Sequence, residues 1–279
     1  MSNYMTKLNI ARRKKSKPES HNQHRIEYPD VVKKVIFEAD IILEVLDSRF
    51  WKETRNFEIE KDIRKKGKKL VFVFNKSDLI DRKKIVEEIT RQQLVPHVFV
   101  SCKTRKGSSD LRKRIKIEAK KFNKKIVYVG IIGYPNTGKS SLINLLKGAS
   151  VARVSSESGF TRGAQKVKIA EGILVFDTPG VIPSYENANR DRADLFKHAQ
   201  INVKMWDKLK EPEMLIYNLM EKYPILIEDF YDIDAKGDSE VFLEELGRKK
   251  AFLLKGNEVD KDRTARQILK DFQQGKIRI

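Results

Sequence analysis

Cysteine, long apolar runs and acidic charge are what this 279-residue chain has least of. Its single cysteine, Cys102, excludes a disulfide framework within the chain and a zinc site built on cysteines, and it fits a reducing compartment. No stretch approaches the roughly 18 apolar residues that a bilayer span requires, and the amino terminus has no apolar signal core. The chain therefore reads as soluble and cytoplasmic, with no membrane partner. Acidic residues number 39 against 58 Lys and Arg, a formal charge of +19. Such an excess predicts an acidic partner, most commonly nucleic acid. The length allows one large or two modest domains with ample material for a core.

What is present is a regular alternation of elements. Residues 1–25 carry Arg12-Arg13-Lys14-Lys15 and read as a flexible basic tail. A helix is expected over Pro29–Ala39, where Val31, Val32, Val35, Ile36 and Ala39 fall at helical spacing. Then come a buried strand Ile41–Leu46, a helix Phe57–Lys65, a second apolar strand Leu70–Phe74, a helix Arg82–Gln92 and a third strand Pro96–Val100. Helix Asp110–Phe122 sets Leu111, Ile115, Ala119 and Phe122 on one face. Its other faces carry Arg112, Lys113, Arg114, Lys116, Lys120 and Lys121, a candidate phosphate-contact surface. Gln165–Ala170 and Ile173–Phe176 read as a hairpin around Glu171-Gly172. Downstream, Glu211–Tyr223, Ser239–Leu246 and Lys261–Gln274 read as helices, the last with Gly275 suited to its carboxyl-terminal cap.

The organising stretch is Ile126–Leu146. A buried strand, Ile126–Ile132, runs into Gly133-Tyr134-Pro135-Asn136-Thr137-Gly138-Lys139-Ser140 and then into a helix, matching G-x-x-x-x-G-K-[ST] at every fixed position. The glycines let the backbone form a nest of N–H groups aimed at phosphate oxygens, and the helix adds the positive end of its dipole. Asn136, Thr137, Gly138, Lys139, Ser140 and Ser141 are the expected phosphate-binding residues. Lys139 reaches the β- and γ-phosphates, and the Ser140 hydroxyl ligates Mg²⁺. Further on, Thr161 in the polar loop Ser155–Gly163 is a second Mg²⁺ ligand and a γ-phosphate sensor. Asp177-Thr178-Pro179-Gly180 places a carboxylate near the Mg²⁺ shell, through water, and the Gly180 amide on the γ-phosphate.

Two further motifs name the base. Asn75-Lys76-Ser77-Asp78 follows an apolar strand at once. The Asp78 carboxylate can accept from both guanine N1–H and the 2-amino group, while adenine offers neither and leaves a desolvated carboxylate unpaired. Asn75 is expected to hold the loop and Lys76 to lie over the ring. One strand later, Ser101-Cys102-Lys103 stands where a backbone amide, that of Cys102, would meet guanine O6. The same two motifs argue against the competing class, a regulatory or nucleic-acid-dependent ATPase.

These base-reading motifs precede the phosphate loop, whereas in Ras-like GTPases they follow it. With one phosphate loop in the chain, the simplest closure joins three strands before Asn123 and three after it in one sheet. The expected fold is α/β: a circularly permuted Ras-like P-loop G domain over residues 26–184, with a six-stranded, mostly parallel sheet, then a small all-α carboxyl-terminal domain over 185–279. The motif order resembles the YlqF/YawG family of circularly permuted ribosome-assembly GTPases. The likeness extends to Asp47-Ser48-Arg49 (D-A-R in the family), Glu53-Thr54-Arg55-Asn56 (G-T-R-N), Ser158-Gly159-Phe160-Thr161 (P-G-x-T), Leu254-Lys255-Gly256-Asn257 (K-G-G) and Gln274-Gly275-Lys276-Ile277 (G-K-I). Two departures stand out. The family's F-P-G-H-M segment is missing, so no catalytic role passes to His21 or His24, and Phe50-Trp51 replaces the proline that follows D-A-R.

The resemblance implies GTP/GDP and Mg²⁺ as ligands, GTP hydrolysis, and a switch role in large-ribosomal-subunit assembly through rRNA binding, by a monomer. No catalytic residue is assigned, because Val181 stands where many GTPases carry the glutamine that orients water. Slow intrinsic turnover, raised by the ribosome or by K⁺ held at Asn136, is the corresponding expectation. The alternative is a basic RNA-binding protein whose nucleotide site is regulatory and weakly hydrolysing or non-hydrolysing.

Overall fold

The structure, a computed structural model, describes residues 30–147, 166–176 and 206–278. In chain order its elements are α1 (Asp30–Glu38), β1 (Ile41–Asp47), α2 (Phe57–Lys65), β2 (Lys69–Asn75), α3 (Arg82–Arg91), β3 (His97–Phe99), α4 (Ser108–Ala119), β4 (Val127–Ile132), α5 (Lys139–Lys147), β5 (Lys166–Ala170), β6 (Ile173–Phe176), α6 (Pro212–Lys222), α7 (Pro224–Tyr231), α8 (Ser239–Lys249) and α9 (Lys261–Gln273). The strands form one six-stranded sheet in the order β3-β2-β1-β4-β6-β5, parallel throughout except that β5 runs against β6. Three strands before residue 123 and three after it thus share a sheet, as the motif order required.

Burial explains the strand sequences. β1 and β2 are apolar on both faces because helices cover both sides of a parallel sheet. Ile41, Leu43, Val45, Val71 and Val73 face α4 and α5 with Leu111, Ile115, Leu142 and Leu146. Ile42, Leu46, Phe72 and Phe74 face α1, α2 and α3 with Val32, Ile36, Ile59, Ile63 and Ile89. The edge strand β5 is only partly covered and reads more polar.

The helical carboxyl-terminal region has its own core, built from Ile216, Leu219, Phe242, Leu246, Ile268 and Phe272 among others. Two residues from the sheet region complete it: Phe50, in the turn after β1, and Tyr134, inside the phosphate loop, each 1 % exposed. Phe50-Trp51, standing where the related pattern has proline, therefore serves two cores. Phe50 meets Phe272 at 5.8 Å between ring centres, while Trp51 packs edge-on against Phe74 beside β2. Helix α7 lacked a readable period. Its eight residues are mostly apolar, and Pro224, a natural first helical residue, follows directly on Tyr223.

Helix α4 corrects the uniform reading of its basic residues as a surface. Arg112 caps α5, donating to Leu145 O (3.0 Å) and Leu146 O (2.6 Å). Arg114 and Lys121 pair with the buried Glu118. Lys113, Lys116, Lys120 and Lys121 remain exposed, Lys121 while paired with Glu118.

A carboxyl group lies buried in the middle of β1. Glu44 of β1 is 1 % exposed, and its Oε1 accepts from Asn56 N at 3.0 Å, which pins the start of α2. Its Oε2 has no hydrogen-bond partner among the described residues, and the neighbouring Glu60 is clasped by the Arg55 fork at 2.8 Å on each arm. Burial, reinforced by Glu60, pushes Glu44 up to about 8. The folded state therefore holds a proton that the unfolded chain releases near pH 4.5. The stability this group contributes is fully present below that pH and is lost as pH rises towards 8. A Glu44→Gln variant, which cannot ionise, should match the wild type near pH 4.5 and exceed it by roughly 2–4 kcal/mol near pH 8, in urea titrations across that range.

Candidate functional site

In open α/β sheets, ligands sit outside the carboxyl ends of the strands where the strand order reverses. Here that point lies between β1 and β4. The base motifs leave β2 and β3 on one side, and the phosphate loop leaves β4 on the other. Between them lies a cleft of about 820 Å³. Asn75, Lys76, Asp78, Cys102 and Lys103 line it, together with Asn136, Gly138, Lys139, Ser140 and Ser141. Asp78 and Lys139 share one cavity.

Asn75 organises the junction. Its Nδ2 donates to Thr137 O at 2.7 Å, and its Oδ1 accepts from Cys102 N at 3.2 Å, so one side chain ties both base loops to the phosphate loop. Ser48 Oγ donates to Asn75 O at 2.6 Å. The approach is so close that a Cβ on Gly138 would stand 2.1 Å from Asn75 Nδ2, and Gly138 has φ +96°. Only glycine fits there. The Cys102 amide, expected for a base oxygen, is thus engaged with Asn75 and must share or exchange that bond to serve a ligand.

Lys76 sits in the left-handed region (φ 59°), and its ammonium donates to Asp47 Oδ2 at 2.7 Å. Its aliphatic stem, not its charge, is what a planar ligand would meet. Burial works against the Asp47 charge, yet Lys76 and Arg49 hold its carboxyl down at about 2. Asp78 is half-buried, and no hydrogen bond or ion pair engages its carboxylate among the described residues. Burial, then the Asp78 charge, pushes the Cys102 thiol up to about 11.

In the phosphate loop, Lys139 is only 6 % exposed and donates to Tyr134 O at 2.5 Å, with Ser140 and Ser141 exposed beside it at the start of α5. Thr137 and Ser101 line no part of the cleft. Thr137 Oγ1 donates to Tyr134 O, and Ser101 Oγ accepts from Thr104 N, so both hydroxyls shape their own loops. Thr161, Asp177, Gly180 and Val181 lie outside the described residues. The arrangement offers an acceptor-only carboxylate in one loop and a lysine with helix-start amides in another. It suits a ligand with a donor pair at one end and anionic oxygens at the other.

The sequence reading missed four lining residues: Leu79, Pro135, Gln273 and Gln274. The last two come from the end of α9, and no spacing rule connects them with β2.

A family model described as 50S ribosome-binding GTPase matches residues 128–232. An uncharacterised GTP-binding protein of Methanocaldococcus jannaschii is 40 % identical over 248 residues, covering 88 % of this chain and 65 % of that protein. Nucleolar GTP-binding protein 2 is 36 % identical in Neurospora crassa and 32 % in Saccharomyces cerevisiae, each across 88 % of this chain and 40 % and 51 % of the respective relative. The chain thus spans less than two thirds of each of these relatives. GDP-bound YlqF, also solved as the GNP-bound protein from T. maritima, superposes with a TM-score of 0.66 at 22 % identity, over 88 % of this chain and 95 % of its own, a likeness of fold.

Proposed function

We propose that this chain belongs to the YlqF/YawG family of circularly permuted GTPases, binds GTP and GDP in the cleft, hydrolyses GTP, and acts as a nucleotide-controlled switch in large-ribosomal-subunit assembly through rRNA. The observation that carries this reading is the convergence of Asp78 and Lys139 on one cavity. Asp78 accepts from guanine N1–H and the 2-amino group, the Lys76 stem covers the ring, and Asn75 fixes both loops. Lys139 and the amides at the start of α5 take the phosphates.

Ser140, exposed at that helix start, would hold Mg²⁺ together with Thr161 and, through water, Asp177. The ion would neutralise charge on the transferred phosphoryl group. Nucleotide oxygens would complete the shell. Asn136, at φ 60° in the loop and lining the cleft, is the residue for K⁺. Val181 offers no hydrogen bond to the attacking water, so the free protein turns over slowly, and Thr161 and Gly180 report the γ-phosphate.

Single-turnover GTP hydrolysis, with and without purified large subunits and in K⁺ or Na⁺, tests this. The expected intrinsic rate is on the order of 10⁻⁴–10⁻³ s⁻¹, rising with subunits. A rate of several per second in the isolated protein would overturn the missing-group argument. Val181 also favours a second reading, an RNA-binding protein with a regulatory site. Co-sedimentation with subunits that depends on the nucleotide, but with no stimulated hydrolysis, would favour it.

A further inference from the structure

Strand β1 lies between β2 and β4, so the turn that leaves it, Asp47-Ser48-Arg49, stands between the base loops and the phosphate loop. Each of its side chains is committed. Asp47 accepts from Lys76, and from Arg49 Nε (3.1 Å) and Nη2 (2.9 Å). The other arm, Arg49 Nη1, donates to Phe272 O at 3.0 Å, a carbonyl in the last turn of α9. Such end carbonyls lack a partner within the helix, and a buried guanidinium is a strong one. A chain of charged hydrogen bonds thus runs from the lysine of the base loop to the carboxyl end of α9.

Two residues on, the backbone passes Leu79, the neighbour of Asp78. Gly275 has φ +72°, and a Cβ there would lie 2.4 Å from Leu79 Cδ1. Its amide closes the helix onto Phe272 O (3.0 Å), and that of Lys276 onto Asp271 O (2.9 Å). This cap leaves Gln274 exposed, in the wall of the cleft that Asp78 also lines.

We infer that Gln274 is a nucleotide-binding residue supplied by the helical region, its carboxamide hydrogen-bonding the nucleoside half of the bound guanine nucleotide. The inference rests on the reading of the cleft as a guanine-nucleotide site and gives the helical region a share in it. A carboxamide is uncharged and both donates and accepts, which suits ribose hydroxyls and the purine edge. Phosphate oxygens, acceptors only, are served by Lys139 and the loop amides. Both ligand states contain the nucleoside, so this contact does not distinguish GTP from GDP. By linkage, nucleotide of either kind steadies the docked end of α9 by the free energy that the contact adds to binding.

The test is calorimetric titration of the full chain with GDP and with a non-hydrolysable GTP analogue. Gln274→Ala should weaken both by the same factor, about two- to twelve-fold, the size of one neutral side-chain hydrogen bond. Because Gln274 is exposed, its unfolding midpoint without nucleotide should stay put. GDP should also slow hydrogen exchange at the Gly275 and Lys276 amides, and the analogue should slow it equally. The affinity gap should close with 2′-deoxy-GDP if the ribose is the partner, or with IDP if the 2-amino edge is. Unchanged affinity in Gln274→Ala, or a loss confined to the GTP analogue, overturns the inference. If Asp78→Asn weakens GDP while Gln274→Ala does not, only the inference falls. If the wild type binds neither nucleotide, the reading of the cleft falls with it.

Discussion

Asp78→Asn should lower GDP affinity by about 10²–10⁴-fold and raise affinity for the xanthine nucleotide. The wild-type carboxylate would accept two hydrogen bonds from guanine, each worth roughly 1.5–3 kcal/mol because the acceptor is charged. An asparagine amide turns a donor towards at least one of those donors, so the variant loses a bond and gains a donor–donor clash. Xanthine carries an oxygen where guanine has its 2-amino group, and the same amide satisfies it. Among the described residues the Asp78 carboxylate has no hydrogen bond or ion pair, so the unliganded fold should lose little stability. Competition of GDP, XDP and ADP against a labelled guanine nucleotide reads the change. Wild-type-like GDP binding by the variant would show that the base sits elsewhere.

Phe50→Ala should cost about 3–5 kcal/mol, the range for emptying a buried phenylalanine site. That is a large part of the 5–15 kcal/mol that holds a typical domain together. The side chain is 1 % exposed, stacks at a tilt on Phe272, and lies under the Arg49 guanidinium at 4.9 Å. Its loss undermines both the helical core and the contact that presents the end of α9 to the cleft, so nucleotide affinity should fall with stability. Phe50→Leu, which refills most of the volume, should recover most of both. Ile225→Ala is the control: that residue is 72 % exposed, and its loss should stay within about 0.5 kcal/mol. Urea denaturation of the three variants, paired with GDP titration, separates these outcomes. A wild-type midpoint for Phe50→Ala would mean that the helical region does not depend on this turn.

Several elements were legible because their signals are short-range. The apolar runs of β1 and β2 allow only buried strands, and Phe57–Lys65 is helical over the range its pattern predicted. Gly275 marks the end of α9 as glycine should. Less was legible on α4, where the sequence presents six basic residues alike and the fold commits Arg112, Arg114 and Lys121 to internal partners. The Cys102 amide could not be placed either, because its partner Asn75 lies 27 residues away.

Residue order alone determined that a phosphate loop follows an apolar strand, that the turn Asn75-Lys76-Ser77-Asp78 follows another such strand before it, and that both belong to one permuted sheet. Each rests on spacing within a few residues or on the count of strands. Only the tertiary structure decided that Tyr134 of the phosphate loop is core for the helices, that Arg49 reaches Phe272 across 223 positions, and that Gln274 borders the cleft. Those contacts arise where two separately built cores meet. Their partners are chosen by the summed packing of both, and no local pattern of residues records that sum.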